Sequence, residues 1–191
     1  MLFSGKLVPV APKSAGAREE EVVRPDTVLV TVEIPTGCRN KYEYDEDLGL
    51  FRLDRMLFSS VVYPTEYGFV RDTLGEDGDP LDAMVLVVEP TFTGCVILAR
   101  PVGLFKMVDE KGLDHKVLCV PVSDPLWSAV DDLDHVPPHL LKEIEHFFSI
   151  YKDLEEKEVT VGGWEDAAAA RSVITAAQDA FAAHLARGDS T

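Results

Sequence analysis

The sequence predicts a mainly β domain finished by two α-helices, and three observations carry that prediction. Between residues 27 and 122 the chain offers many short runs rich in β-branched and aromatic residues, punctuated by Gly, Pro, Asn and Asp. After Pro137-Pro138 the apolar residues take up a three-to-four-residue spacing. The chain has 191 residues, 46% of them hydrophobic and 27% charged, enough for one domain with a real core.

In order along the chain, residues 1–26 balance four acids against four bases in a Pro/Ala-containing stretch and read as a flexible N-terminal extension. The domain spans 27–188, and 189–191 form a short tail. Thr27 to Ile34 is a strand stopped by Pro35. Asn40–Tyr44 and Leu50–Leu53 read as short strands about a turn near Asp47-Leu48-Gly49. Ala83–Val88 is a buried type of strand, ended by Pro90, and Cys95–Val108 and Lys116–Val122 are strands joined by a Gly-containing turn. So many strands with little helix between them argue for a compact barrel or sandwich. Leu140, Leu141, Ile144, Phe147, Phe148, Tyr151 and Leu154 then mark the apolar face of a helix, with Glu143, Glu145 and Glu155 on its solvated side. An Ala-rich stretch from Glu165, carrying Ile174, Phe181 and Leu185, predicts a second helix ending near Gly188. No internal repeat or low-complexity linker divides the body.

Charge and composition exclude several functions. Thirty-four Asp+Glu against 18 Lys+Arg leave −16, and the excess belongs to the folded body, not to a tail. Such a field repels polyanions, which disfavours a broad surface for nucleic acid or anionic membrane and favours cationic partners or bound metal ions. The longest apolar runs are about six residues, where a membrane span needs about 20. Pro9, Pro12 and Glu19-Glu20-Glu21 make the N-terminus a poor signal or transit peptide. Cys38, Cys95 and Cys119 are far apart and lack CxxC spacing, which predicts reduced, mostly buried thiols and a cytoplasmic protein. GxxxxGK[ST] and GxSxG are absent, against an NTPase or an α/β-hydrolase.

The sharpest motif is Asp77-Gly78-Asp79-Pro80-Leu81-Asp82, three carboxylates on a turn that Gly78 frees and Pro80 stiffens. Two like charges 4 Å apart repel by about 4 kcal/mol at an effective dielectric near 20, so converging carboxylates imply solvent, protonation or metal. Read alone, the motif is either an ordinary acidic turn or a metal site, and its spacing fails the EF-hand loop. Asp109-Glu110-Lys111-Gly112-Leu113-Asp114-His115-Lys116 lies between two strands; Lys116 shares a strand face with Asp114, as Lys41 does with Glu43. Alone these are a hydrophilic hairpin tip and a surface ion pair. Tyr63-Pro64-Thr65-Glu66-Tyr67-Gly68-Phe69 and Tyr151-Lys152 serve packing equally well when each is taken singly.

Jointly, these blocks resemble one family. Glu33-Ile34-Pro35, Lys41-Tyr42-Glu43, Asp54-Arg55, Tyr63-Pro64-x-x-Tyr67-Gly68-Phe69, the DGDPxD motif at 77–82, Arg100-Pro101-Val102-Gly103, Met107-Val108-Asp109-Glu110, Lys116-Val117 and His146-Phe147-Phe148-x-x-Tyr151-Lys152-Asp153-Leu154-Glu155 are similar to the soluble family I inorganic pyrophosphatases of bacterial type. The resemblance runs from about Val28 to Trp164. It implies a five-stranded OB-like β-barrel flanked by two main α-helices, a hexamer, and Mg²⁺-dependent hydrolysis of pyrophosphate to two orthophosphates by direct attack of water, with Mn²⁺ able to substitute.

Residue by residue, the resemblance implies that Asp77, Asp82 and Asp114 hold two Mg²⁺ ions, that Asp109 with Asp114 takes a further one arriving with substrate, and that Glu33 and Glu43 reach metal through water. It gives Asp79 the orienting or deprotonation of the attacking water, or Asp114 in its place. Lys41, Arg55, Tyr67, Lys116, Tyr151 and Lys152 match the groups that grip phosphate, and Tyr63 a support for the acids. Oxygen-only donors suit a hard ion that keeps waters, and phosphoryl transfer asks chiefly for positioning and charge stabilisation. Glu66 stands where many members have Asn, which implies altered local hydrogen bonding. Two other functions are compatible with such a fold: an inactive metal- or phosphate-binding module, weakened by the complete set of matched acids and bases, and a nucleic-acid-binding OB protein, weakened by −16.

Overall fold

The computed structural model describes residues 26–46, 48–110 and 112–187. Its elements are β1 (Val28–Ile34), β2 (Asn40–Asp45), β3 (Leu50–Met56), β4 (Glu66–Val70), β5 (Asp82–Val85), β6 (Val96–Asp109), β7 (Gly112–Leu113), β8 (Lys116–Pro121), α1 (Pro138–Ile150), β9 (Thr160–Asp166) and α2 (Ala167–Ala186). Strands β1, β4, β5, β8 and β6 pair in that order, and β6 returns to β1, so five strands close into a ring. Closure leaves none of the five as a bare edge. All its pairings are antiparallel except β5 with β8. The hairpin of β2 and β3 stands off the ring as its own two-stranded sheet.

Two apolar clusters explain why β5 and β8 read as continuous apolar runs. Ala83, Val85, Val117 and Cys119 enter one cluster, closed by Ala170, Ile174 and Ala177 of α2. The alternate residues Met84, Leu86, Leu118 and Val120 enter the other, closed by Ile144, Phe147 and Phe148 of α1. Alternation sends successive side chains to opposite faces, and here a helix covers each face. Helix α2 starts on Asp166, whose Oδ1 accepts from Ala169 N at 2.9 Å, a cap worth about 1 kcal/mol. Pro138 occupies the first turn of α1, where no amide is needed.

Several expectations change. Three strands lie outside the sequence reading: β4, interrupted by Gly68; the two-residue β7, within the stretch read as a turn; and β9, split by Gly162-Gly163 yet paired to β6 over six registered positions. Helix α1 stops at Ile150, so Leu154 is not on its apolar face; it is 63% exposed within a 3₁₀ turn at Asp153–Glu155. Glu155 is not solvated either, because that turn folds its side chain inward to 6% exposure. Of the three thiols only Cys119 is buried; Cys38 and Cys95 are half-buried, and all three are free. The expectations for residues 1–25, for Gly188 and for the 189–191 tail fall outside the described residues. No helix of the described residues is long and apolar enough to cross a membrane.

Closure of the ring depends on Gly68. It sits opposite Val32, where β4 meets β1, and a Cβ there would lie 1.9 Å from the Thr31 carbonyl oxygen. Gly68→Ala is therefore expected to destabilise the protein by more than about 3 kcal/mol, read as a lower urea midpoint. An unchanged midpoint would refute the packing.

Candidate active site

The pairing of β5 with β8 sets the floor of the site. Ala83 aligns with Val117, so Asp82 and Lys116, one residue earlier on each parallel strand, come side by side. Lys116 is 1% exposed, and its Nζ donates to Asp82 Oδ2 at 2.7 Å, Asp114 Oδ1 at 2.6 Å and Tyr67 Oη at 2.9 Å. Tyr67 in turn donates to Asp82 Oδ2 at 2.5 Å. The ammonium also lies 5.4 Å from the Phe148 ring centroid, so α1 seals it from below. Burial opposes its charge, but Asp82 and Asp114 together outweigh burial and raise its pKa. Asp114 is pushed up by burial and held back by Lys116.

The hairpin of β2 and β3 makes one wall. Lys41 pairs with Glu43 two residues along the same strand face and lies 3.6 Å from Asp54. Arg55 offers Nε and Nη2 to Glu155 at 2.9 and 2.8 Å, a fork that fixes the guanidinium plane, and Nη1 to Asp54. Glu33, at the end of β1, accepts from Tyr44 N at 2.8 Å. Burial raises the Glu33 carboxyl to about 7, against that hydrogen bond. Past the end of α1, Lys152 donates to Asp109 Oδ2 at 2.8 Å and to Glu110 at 3.3 Å, and Lys157 reaches the other oxygen of Glu110 at 3.0 Å. The remaining wall is the turn before β5, where Asp77 Oδ1 accepts from Asp79 N at 3.2 Å and Gly78 takes a φ of 92°.

These walls enclose a cleft of about 580 Å³. Glu33, Lys41, Glu43, Arg55, Tyr67, Asp77, Asp79, Asp82, Asp109, Asp114, Tyr151 and Lys152 all line it, and Lys116 lies buried beneath. Chain segments a hundred residues apart and more, such as those of Arg55 and Glu155, thus meet in one place. Tyr63 packs behind the lining, its ring centroid 5.3 Å from that of Tyr67. Glu46, Glu110 and Lys157 line the cleft as well and were not singled out from sequence. For Glu110 a signal existed, since it adjoins Asp109; Lys157 lies in a Glu/Lys-rich run with nothing to mark it.

Among the described residues no three acids converge tightly enough to cage a bare ion. The donor set nonetheless fits hard, partly hydrated cations: every candidate ligand is a carboxylate oxygen, and the cleft has room for water between ion and protein. Glu33 adds a specific sign of fit, because its charge is costly where it sits until a cation arrives. Tyr67 and Tyr151 are pushed up by burial and so remain phenols able to donate.

Comparison with known proteins points one way. The family model described as inorganic pyrophosphatase matches residues 30–182. An inorganic pyrophosphatase of Methanosarcina mazei is 60% identical over 152 residues, covering 80% of this chain and 90% of the relative. One from Halalkalibacterium halodurans is 50% identical over 152 residues, with 80% and 93% covered. Among solved structures, the inorganic pyrophosphatase of Thermus thermophilus superposes with a TM-score of 0.81 at 42% identity, covering 92% of this chain and 97% of that one.

The raised Glu33 pKa has a consequence for stability. A carboxyl whose folded pKa exceeds its unfolded value contributes least penalty below about 4.5, and stability is lost as pH rises through about 7. In chelator, Glu33→Gln, which keeps the acceptor for Tyr44, is expected to match the wild-type melting temperature at pH 4.5 and exceed it at pH 8. A difference that does not grow with pH would contradict the burial of this charge.

Proposed function

This chain belongs to the inorganic pyrophosphatase family and hydrolyses inorganic pyrophosphate; we propose that it does so with Mg²⁺, or Mn²⁺ in its place, by direct attack of water on phosphorus and without a covalent intermediate. One observation carries the reading: seven acids and three cations of the predicted set line a single cleft, with a buried fourth cation beneath two of the acids. Glu33, Glu43, Asp77, Asp82, Asp109 and Asp114 would hold the metal ions, Glu33 and Glu43 through water. When bound, the ions supply the positive charge that lets an anionic nucleophile approach a diphosphate and acidify the water they carry.

The chain's own residues do the rest. Lys41, Arg55 and Lys152 neutralise the phosphates, and Glu155 presets the plane of Arg55 for a forked contact. Tyr67 and Tyr151 stay protonated; Tyr151 donates to phosphate oxygen, and Tyr67 does so when its one proton turns from Asp82 to substrate. Lys116, placed below the lining, acts on substrate through Asp82, Asp114 and Tyr67, whose positions it fixes. Asp79, on its exposed turn, orients the attacking water and takes its proton, with Asp114 the alternative base. The leaving orthophosphate departs with its charge balanced by the cations that held it, as phosphoryl transfer requires. The hexamer implied by resemblance agrees with the exposed apolar side chains Leu53, Met56, Phe58 and Val62 along and after β3.

Orthophosphate release from pyrophosphate with Mg²⁺ tests the reading. The wild type is expected to turn over, and Asp79→Asn to lose at least about 100-fold in kcat while keeping its circular dichroism. No turnover by a folded, metal-loaded wild type sinks the hydrolase; full turnover in the variant sinks the role of Asp79. Sedimentation is expected to give six chains per particle, and a monomer would remove the hexamer.

A further inference from the structure

Glu66, at the start of β4 opposite Val85, is a carboxylate with no exposed surface, and the mechanism above does not use it. Both its oxygens are satisfied by a single residue: Oε1 accepts from Thr91 N at 2.8 Å and Oε2 from Thr91 Oγ1 at 3.1 Å. A buried acid is costly and is retained only where its hydrogen bonds hold something in place. Thr91 lies in the middle of the connection between β5 and β6, and the second half of that connection grips the end of β1. Thr93 Oγ1 donates to the Glu33 carbonyl at 2.9 Å, Gly94 N donates to Val32 O at 2.8 Å, and Val32 N donates to Cys95 O at 2.8 Å.

The same connection also reaches the carboxylate of Glu33. A Cβ on Gly94 would lie 3.2 Å from the Phe51 ring, so main chain and ring touch. Phe51 packs on Tyr44 with ring centroids 5.1 Å apart, and Tyr44 N is the donor to Glu33 Oε1. The backbone and side chain of Glu33 are thus both held by pieces that meet residues 91–95.

We propose that Glu66 is a positioning residue: through Thr91 it fixes the 91–95 connection, and through that connection it aims Glu33 at the cation that the cleft binds. The proposal rests on the pyrophosphatase reading of the cleft, but its readouts need no turnover. In Glu66→Ala two donors of Thr91 lose their acceptors and the connection is released. In Glu66→Gln the carboxamide oxygen still accepts from Thr91 N–H, and its amino group donates to the Thr91 hydroxyl oxygen, so the link survives without the charge.

The test measures Mn²⁺ affinity of the full chain in the absence of substrate, together with hydrogen exchange at the Tyr44 amide in the metal-free protein. Glu66→Ala is expected to bind Mn²⁺ about tenfold more weakly, the usual scale for losing a group that orients a ligand, and to exchange Tyr44 N–H faster. Glu66→Gln is expected within about twofold of wild type on the same scale, and Thr91→Ala, which loses only the hydroxyl, between the two. A folded Glu66→Ala or Thr91→Ala with wild-type Mn²⁺ affinity and wild-type Tyr44 exchange overturns the proposal, as does a Glu66→Gln as weak as Glu66→Ala. A lower unfolding midpoint without either change marks a merely structural role and also overturns it. A wild type that binds Mn²⁺ yet releases no orthophosphate removes the hydrolase reading and leaves these comparisons standing.

Discussion

A single buried ammonium sets the terms for the rest of the site. Lys116 is almost wholly buried, so its charge survives only because Asp82 and Asp114 approach within 2.7 and 2.6 Å. The dependence is mutual: without that charge, two carboxylates would face each other at the floor of the cleft with burial against them. Loss of either partner leaves an uncompensated charge, which costs far more than a surface pair. Tyr67 completes the cluster by donating to one acid and accepting from the cation.

The fold exists, in this sense, to bring those residues to one level. The parallel step between β5 and β8 places Asp82 beside Lys116. The long strand β6 pairs with β1, β8, β9 and β7 in turn, and its register shift between Pro101 and Gly103 lets it change partners. Its far end delivers Asp109, and the short return through β7 delivers Asp114. Each predicted phosphate-gripping cation is met by a carboxylate, Lys41 by Glu43, Arg55 by Glu155, Lys116 by Asp82 and Lys152 by Asp109. Such pairing holds the groups in place and limits the repulsion among the acids.

Much of this was legible in the chain, for local reasons. Thr27 to Ile34, the hairpin of β2 and β3, and the apolar face of α1 all follow from short-range periodicity, and the structure keeps them with small changes of boundary. Strand β4 hid because Gly68 is demanded by a contact with β1, which no local pattern encodes. Strand β9 hid because Gly162 and Gly163 depress its strand propensity, while β6 supplies the pairing. In the site, the identities of the acids and bases came from joint motif resemblance, but their division of labour did not. That Lys116 lies beneath the cleft, and that Glu155 turns inward to hold Arg55, depend on contacts 34 and 100 residues apart in sequence.

The most direct test of the Lys116 cluster is a carbon-detected NMR titration of the Asp114 carboxyl in metal-free protein, comparing wild type with Lys116→Met. The account predicts that Asp114 titrates above the ordinary aspartate range in the wild type and higher still in the variant, since the charge that holds it down is gone while burial remains. An Asp114 carboxyl that titrates at the same pH in both proteins would contradict it.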